Sequence, residues 1–380
     1  MKKCCILLLL SIQFCTVFAQ THKMEVLQQM ITRSKSLKSV SYKLEFMDVN
    51  PFSVGDTLRG NRDANLIFNQ NGKINHAFVE TVVNQGQTRY SELYTKSMQY
   101  TFDLIDSTFT MKAGVPIEND FSVLIQSVED RWFKEPKKIH RNADTIYNSI
   151  KCYSFIYKPF DTASAGNHDF IHYTLFIDQK SFLPVYFRHA GAGSVTKEGY
   201  SLGRLNFLQE KIFGSYRLNK VKEVALPNLE HFTTPNTKML TVGNPAPVLR
   251  VRDLKGNAID TAQFQGRIRL VVFGATNCAA NPLANPMLNR LNQLYGAKGV
   301  EILNIYTSET IEQANHYISG NGISFPVYLS DRTLSKAYCT LGTPNFYLVD
   351  RNNRIALAEN GYSDRLETSL IKQIDALLME

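Results

Sequence analysis

The hydrophobic pattern changes period twice along the chain. From Gln20 to about Leu37, apolar residues recur at helical spacing, with Met24, Leu27, Met30 and Ile31 on one stripe. Alternation then takes over. Ser41-Tyr42-Lys43-Leu44-Glu45-Phe46 alternates cleanly. Strand-like segments follow around Leu66–Phe68, Phe78–Val83, Tyr90–Tyr94, Tyr100–Leu104, Tyr153–Tyr157, Tyr173–Ile177, Val185–Phe187 and Leu205–Leu208. Turns are expected at Asn71-Gly72, Gln85-Gly86, Gly114, Asp178-Gln179 and Gly214, with one short helix around Phe121–Val128. Sequential strands with short turns predict an antiparallel, strongly curved meander.

The period changes again after the polar stretch Thr233-Thr234-Pro235-Asn236-Thr237, which reads as a linker over 233–242. From Gly243 strands and helices alternate. Leu249–Leu254 is an expected short strand before a Lys255-Gly256-Asn257 turn. Leu270–Phe273 and Val300–Ile305 are continuous apolar runs, as in strands buried on both faces. Helices are expected from Cys278 to about Tyr295, over Glu309–Ile318 and from Asp364. A loop and strand are expected over Gly342–Asp350, and a strand over Ile355–Ala358.

The chain has 380 residues, is 44% hydrophobic and 20% charged, and so can bury two ordinary cores. Its formal net charge is +8, with Lys and Arg scattered among acids apart from Lys134, Lys137, Lys138 and Arg141. A nucleic-acid binder concentrates charge on one face, so that short run reads as a solvated loop.

Residues 1–19 read as a signal peptide: Lys2 and Lys3 form a positive start, Ile6 to Phe14 an apolar core, and Val17-Phe18-Ala19 a cleavage site. The core is shorter than the ~20 residues needed to span a bilayer. Phe14 suits a lipid-anchored Cys15 poorly. The expectation is an exported protein of the periplasm or envelope, soluble after cleavage. Cys4, Cys5 and Cys15 would leave with the leader, and Cys152, Cys278 and Cys339 would remain. An odd count leaves at least one free or intermolecular thiol.

Residues 20–232 resemble, in pattern, the lipoprotein-sorting and lipid-carrier family of bacterial envelopes: one helix, then a long meander. Leu175-Phe176-Ile177-Asp178 followed by Leu183-Pro184-Val185 adds to the likeness. The resemblance implies a half-barrel wrapped around a helix, with a lipid or lipoprotein in an apolar concavity. The same alternating side chains equally suit a filled core.

Residues 243–380 resemble the TlpA-like branch of the thioredoxins. Phe273-Gly274-Ala275-Thr276-Asn277-Cys278-Ala279-Ala280-Asn281 is similar to the strand–CxxC–helix segment, and Pro286 stands where that family places a helix proline. Phe325-Pro326 and Thr343-Pro344 match its FP pair and its cis-proline loop. The resemblance implies an α/β thioredoxin fold and exchange with protein thiols or disulfides of exported clients, without a cofactor or a metal. A helix N-terminus there favours the thiolate of Cys278, and the Pro344 loop exposes a strand edge for a partner backbone.

Three positions depart from that pattern. Asn281 replaces the second cysteine, Asn277 the usual Trp, and Val272 the acid found beneath many thioredoxin sites. Dithiol chemistry between positions 278 and 281 is excluded. Cys278 then acts as a monothiol, or Cys339 resolves its mixed disulfides, or the fold has become a binding module. Resolution by Cys339 needs Cα atoms within ~7 Å. A peroxidase signature is absent, since Ala275 and Val271 stand where its Thr and Pro belong.

Cys152 reads as a small buried hydrophobe. His168 and His172 are four residues apart, ~13 Å on a strand, too far to share an ion. No phosphate loop, HExxH or serine-nucleophile motif is present.

Overall fold

A computed structural model describes residues 23–380 except 54, 87, 96, 116–118, 165, 198, 226 and 236–237. The expected signal peptide lies outside the described residues. The chain divides into two compact units whose segments interleave. One holds residues up to Asp48, Leu58–Gly193 and Asn206–Pro235; the other holds Val49–Thr57, Ser194–Leu205 and Asn236–Glu380.

The first unit opens with helix α1 (residues 23–35). Six strands follow: β1 (Ser39–Val49), β2 (Thr57–Phe68), β3 (Ile74–Val83), β4 (Thr88–Tyr94), β5 (Met98–Asp103) and β6 (Thr108–Ala113). Helix α2 (Asp120–Asp130) comes next, capped by Asn119 Oδ1 accepting from the Phe121 N–H. Two short strands, β7 (Ile139–Arg141) and β8 (Thr145–Tyr147), lead to four long ones. These are β9 (Ile150–Ser164), β10 (Asn167–Asp178), β11 (Pro184–Lys197) and β12 (Tyr200–Leu218). The sheet order is β6-β5-β4-β3-β2-β1-β12-β11-β10-β9-β7, with β8 also on β9.

The alternation in β1 has a direct physical cause. Val40, Tyr42 and Leu44 face a core shared with Leu27, Met30 and Ile31 of α1 and Phe121, Leu124 and Val128 of α2. Each such side chain, buried to a few per cent, stabilises the unit by about 1.5–3 kcal/mol. At these positions the sheet is filled by helices and by Trp132. The turn expected at Gly214 is not a turn: Gly214 lies inside β12, and the positive φ of 53° falls on Ser215, a local irregularity within a continuing strand. At the end of the unit Thr233, expected in a linker, bridges to Thr108.

The second unit contains β13 (Ile268–Gly274), α3 (Ala280–Tyr295), β14 (Val300–Tyr306), α4 (Ile311–Gly320), β15 (Val327–Leu329) and α5 (Arg332–Ala337). It ends with β16 (Asn345–Val349), β17 (Ile355–Asn360) and α6 (Asp364–Met379). The sheet order is β15-β14-β13-β16-β17. β13 runs parallel to β14 and antiparallel to β16. Every β13 residue is buried. Leu270 and Val272 pack in one apolar cluster with α3 and α6, while Val271 and Phe273 pack in a second with Leu334 and Tyr338. Burial on both faces explains the unbroken apolar run. The strand expected at Leu249–Leu254 does not form; Arg252 makes only isolated bridges to Ala258 and Leu329.

Candidate functional site

The site is built where β13 leaves the sheet and turns into α3. Cys278 follows that strand by four positions and is half-buried. α3 begins at Ala280 with Ala279 as its N-cap, so Cys278 stands one residue ahead of the cap rather than opening the helix. Its carbonyl still accepts the Asn281 N–H at 3.1 Å, and its own N–H donates to the Ala275 carbonyl at 3.2 Å. The first bond ties the cysteine to the helix start and the second to the turn that follows β13.

Across from it lies the loop that enters β16. The Cys278 thiol donates to the Thr343 carbonyl at 3.1 Å. The Thr343–Pro344 bond is cis. The Pro344 carbonyl accepts the Gly361 N–H at 2.8 Å, and β16 is paired on both sides, with β13 and β17. The free strand edge expected beside Pro344 is therefore not β16. Any backbone offered to a partner there belongs to the loop before the proline.

Asn281 is 4% exposed. Its Nδ2 donates to the Ala275 carbonyl at 2.5 Å, while its Oδ1 is buried without a partner among the described atoms. Gly274 lets this packing occur. A Cβ there would stand 2.8 Å from Tyr306 Cε1, 3.0 Å from Asn281 Nδ2 and 3.1 Å from Asn304 Oδ1. The asparagine thus fills the space behind Cys278 that a second thiol would otherwise reach.

Cys339 forms no disulfide with Cys278. It sits half-buried at φ 51°, its sulfur 4.0 Å from the Ala337 carbonyl. Cys152 is buried in β9, with its sulfur 3.4 Å from the Ile150 carbonyl. Burial, helped by Asp178, pushes its thiol up to about 11. His168 and His172 come closer than their strand spacing implied. Their Nε2 atoms stand 2.6 and 2.8 Å from the two oxygens of Asp161, and their ring centroids are 6.5 Å apart. Both rings also contact Phe170 between them. Among the described residues no three His, Cys, Asp or Glu side chains are grouped to hold a metal ion.

One residue of this region was not singled out from the sequence. Glu309 was expected as the first residue of a helix. The structure places it ahead of α4, whose N-cap is Thr310 in a capping box with Gln313. Glu309 accepts the N–H of Thr276 at 3.0 Å, two residues before Cys278, and that of Ser308 at 3.2 Å. Burial pushes its carboxyl above the ordinary 4.5, against the opposing pull of these N–H groups. The only available signal was one acid three positions after an apolar strand.

This geometry, a half-buried thiol between a helix start and a cis-proline loop, can be set beside known proteins. Residues 242–358 match the AhpC/TSA family. The thiol-disulfide oxidoreductase ResA of Bacillus thuringiensis subsp. konkukian (strain 97-27) is 28% identical over 125 residues, 33% of this chain and 72% of that protein. ResA of Geobacillus kaustophilus (strain HTA426) is 28% identical over 127 residues, again 33% of this chain and 72% of that one. The thioredoxin domain of a thiol-disulfide oxidoreductase from Bacteroides vulgatus is 26% identical, with a TM-score of 0.33, covering 35% of this chain and 97% of that domain. The C-terminal region is thus an AhpC/TSA-type domain of thioredoxin fold with thiol-disulfide oxidoreductases among its relatives. The family match begins at residue 242, after the antiparallel β region.

Proposed function

We propose that this protein exchanges thiols and disulfides with exported protein clients through Cys278 alone. The observation that carries the reading is the place of that thiol, 3.1 Å from the Thr343 carbonyl beside Pro344 and directly before α3, with Asn281 where a second cysteine would resolve it. The Cys278 thiolate attacks one sulfur of a client disulfide; a mixed disulfide forms and the client's other sulfur leaves as a thiolate. An external thiol then attacks the mixed disulfide, taking the client sulfur and returning Cys278 reduced. No electrons are left over in either step. Cys339 plays no part in this scheme.

The proposed location is the envelope, reached through the leader at residues 1–19, and the proposed domain layout is a β-rich domain over 20–232, a linker to 242 and the thioredoxin-like domain from 243. No helix among the described residues is long and apolar enough to cross a membrane. A second reading keeps the β-rich part as a place for a lipid or lipoprotein. One cavity of about 650 Å³ is lined by Ser41, Tyr42, Lys43, Asp63, Ala64, Asn65, Ser215, Tyr216 and Arg217, a mixed surface of rings, stems and polar heads. Incubation with glutathione disulfide followed by peptide mapping tests the reading: a glutathione adduct on Cys278 supports it, and an unmodified Cys278 removes it.

A further inference from the structure

Glu309 offers the site a charge that the sequence pattern left out. Val272, on the strand beneath Cys278, is fully apolar and packed in the core. The carboxylate comes instead from the loop between β14 and α4, where Glu309 holds the Thr276 N–H. The other side of the same residue is held as well: the Thr276 carbonyl accepts Asn50 Nδ2 at 3.1 Å, from the Val49–Thr57 segment that belongs to this unit. The loop leading to Cys278 is therefore clamped at both polar groups of one residue.

The surroundings of Glu309 can be enumerated element by element. Tyr306 at the end of β14 and Tyr317 on α4 both feel its charge, and Tyr317 also feels Cys278. Asp56, on the Val49–Thr57 segment, pushes Glu309 further toward its neutral form. Asp56 in turn accepts from Asn50 Nδ2 at 2.9 Å and Gln313 Nε2 at 3.0 Å. His316 on α4 lies against Gly55 of the same segment. The groups that oppose its protonation are the N–H donors of Thr276, Ser308 and Glu309 itself.

We propose that Glu309 is a positioning residue for the Cys278 loop whose own charge, when present, slows the reaction of Cys278 with electrophiles and disulfides. The proposal rests on the thiol-exchange reading for its biological use, but its physical content does not. In acid Glu309 is neutral and leaves Cys278 undisturbed. As pH rises Glu309 ionises, binds the Thr276 N–H more strongly, and sets a negative charge behind the thiolate that must form.

The test is the rate of Cys278 alkylation by iodoacetamide, read by peptide mass in the full chain from mildly acidic to alkaline pH. Glu309→Gln keeps an oxygen to accept from Thr276 and removes the charge. The variant should alkylate about three- to tenfold faster than the wild type at neutral pH. The two profiles should converge in acid. Superimposed profiles across the range would overturn the proposal, because a purely structural role predicts no charge effect. Should Glu309→Gln fail to fold, Asp56→Asn replaces it. Removing that neighbouring charge should move the acidic inflection of the profile to lower pH, and an unmoved inflection would overturn the proposal equally. Iodoacetamide reads the thiol alone, so absence of a glutathione adduct on the wild type remains a separate failure, that of the exchange reading.

Discussion

Cys278 donates its thiol hydrogen to the carbonyl of Thr343 across 3.1 Å, joining the start of α3 to the residue before Pro344. Residues 65 positions apart thereby share one polar contact at the protein surface. A client sulfur that reaches Cys278 must arrive beside this carbonyl.

The first prediction concerns the missing partner. Asn281→Cys should restore a pair that closes to an intramolecular disulfide on mild oxidation, seen as a loss of two free thiols per chain by alkylation and mass. The substitution removes one hydrogen bond to Ala275, a loss of about 1 kcal/mol, and also the orphaned Oδ1, which offsets part of that cost. A variant that stays fully reduced under the same oxidant would show that position 281 is turned away from Cys278.

Gly274 is the tightest point behind the site. Gly274→Ala forces a Cβ to within 2.8 Å of the Tyr306 ring. The ring and Asn281 must shift together, at a cost of about 1–3 kcal/mol. Thermal unfolding should report a lowered midpoint, and a midpoint equal to wild type would mean that this packing is looser than described.

A third prediction follows from burial in β9. Cys152 is held neutral, its thiol pushed up to about 11 by burial and then by Asp178. Because the folded value lies above the unfolded one, this group contributes stability below the unfolded value, and that contribution is lost as pH rises toward 11. Alkylation of the native protein at mildly alkaline pH should leave Cys152 unlabelled while denaturant exposes it. Rapid labelling of Cys152 in the native state would contradict its burial.

Asp120 gives the opposite sign. Burial alone would raise its carboxyl, but Lys211 at 2.7 Å and Arg62 at 2.5 Å outweigh burial and hold it below its ordinary 3.8. Its contribution is complete above that ordinary value and is lost as pH falls below it. Asp120→Asn should destabilise the β-rich unit by about 1–3 kcal/mol, since two half-buried cations lose their counter-charge. Urea unfolding at neutral pH and in acid measures this: the gap between variant and wild type should narrow in acid, and a constant gap would contradict the pairing.

Periodicity made the elements legible where one face of an element is buried. β1, α2, β13 and β16 stand where alternating or continuous apolar runs placed them, because burial on one face or both imposes those patterns directly. Strands without such a run were harder to see: β6 carries a mostly exposed Thr108–Ala113, and the short β7 and β8 are fixed by pairing to β9 rather than by their own composition. Gly214 misled for a related reason, since a glycine in a long strand is locally indistinguishable from one in a turn. At the site, Cys278, Asn281 and Pro344 were visible as residue types at fixed spacing. Glu309 was not, because its role depends on reaching the backbone of Thr276, 33 positions away, and no local spacing records that contact.

The most direct measurement is peptide-resolved mass analysis of the protein after incubation with glutathione disulfide, with Cys278→Ser and Cys339→Ser run in parallel. The account predicts one glutathione on Cys278, retained in Cys339→Ser, absent from Cys278→Ser, and no bridge between Cys278 and Cys339. A Cys278–Cys339 disulfide, or a Cys278 that takes no glutathione at all, would contradict single-thiol exchange.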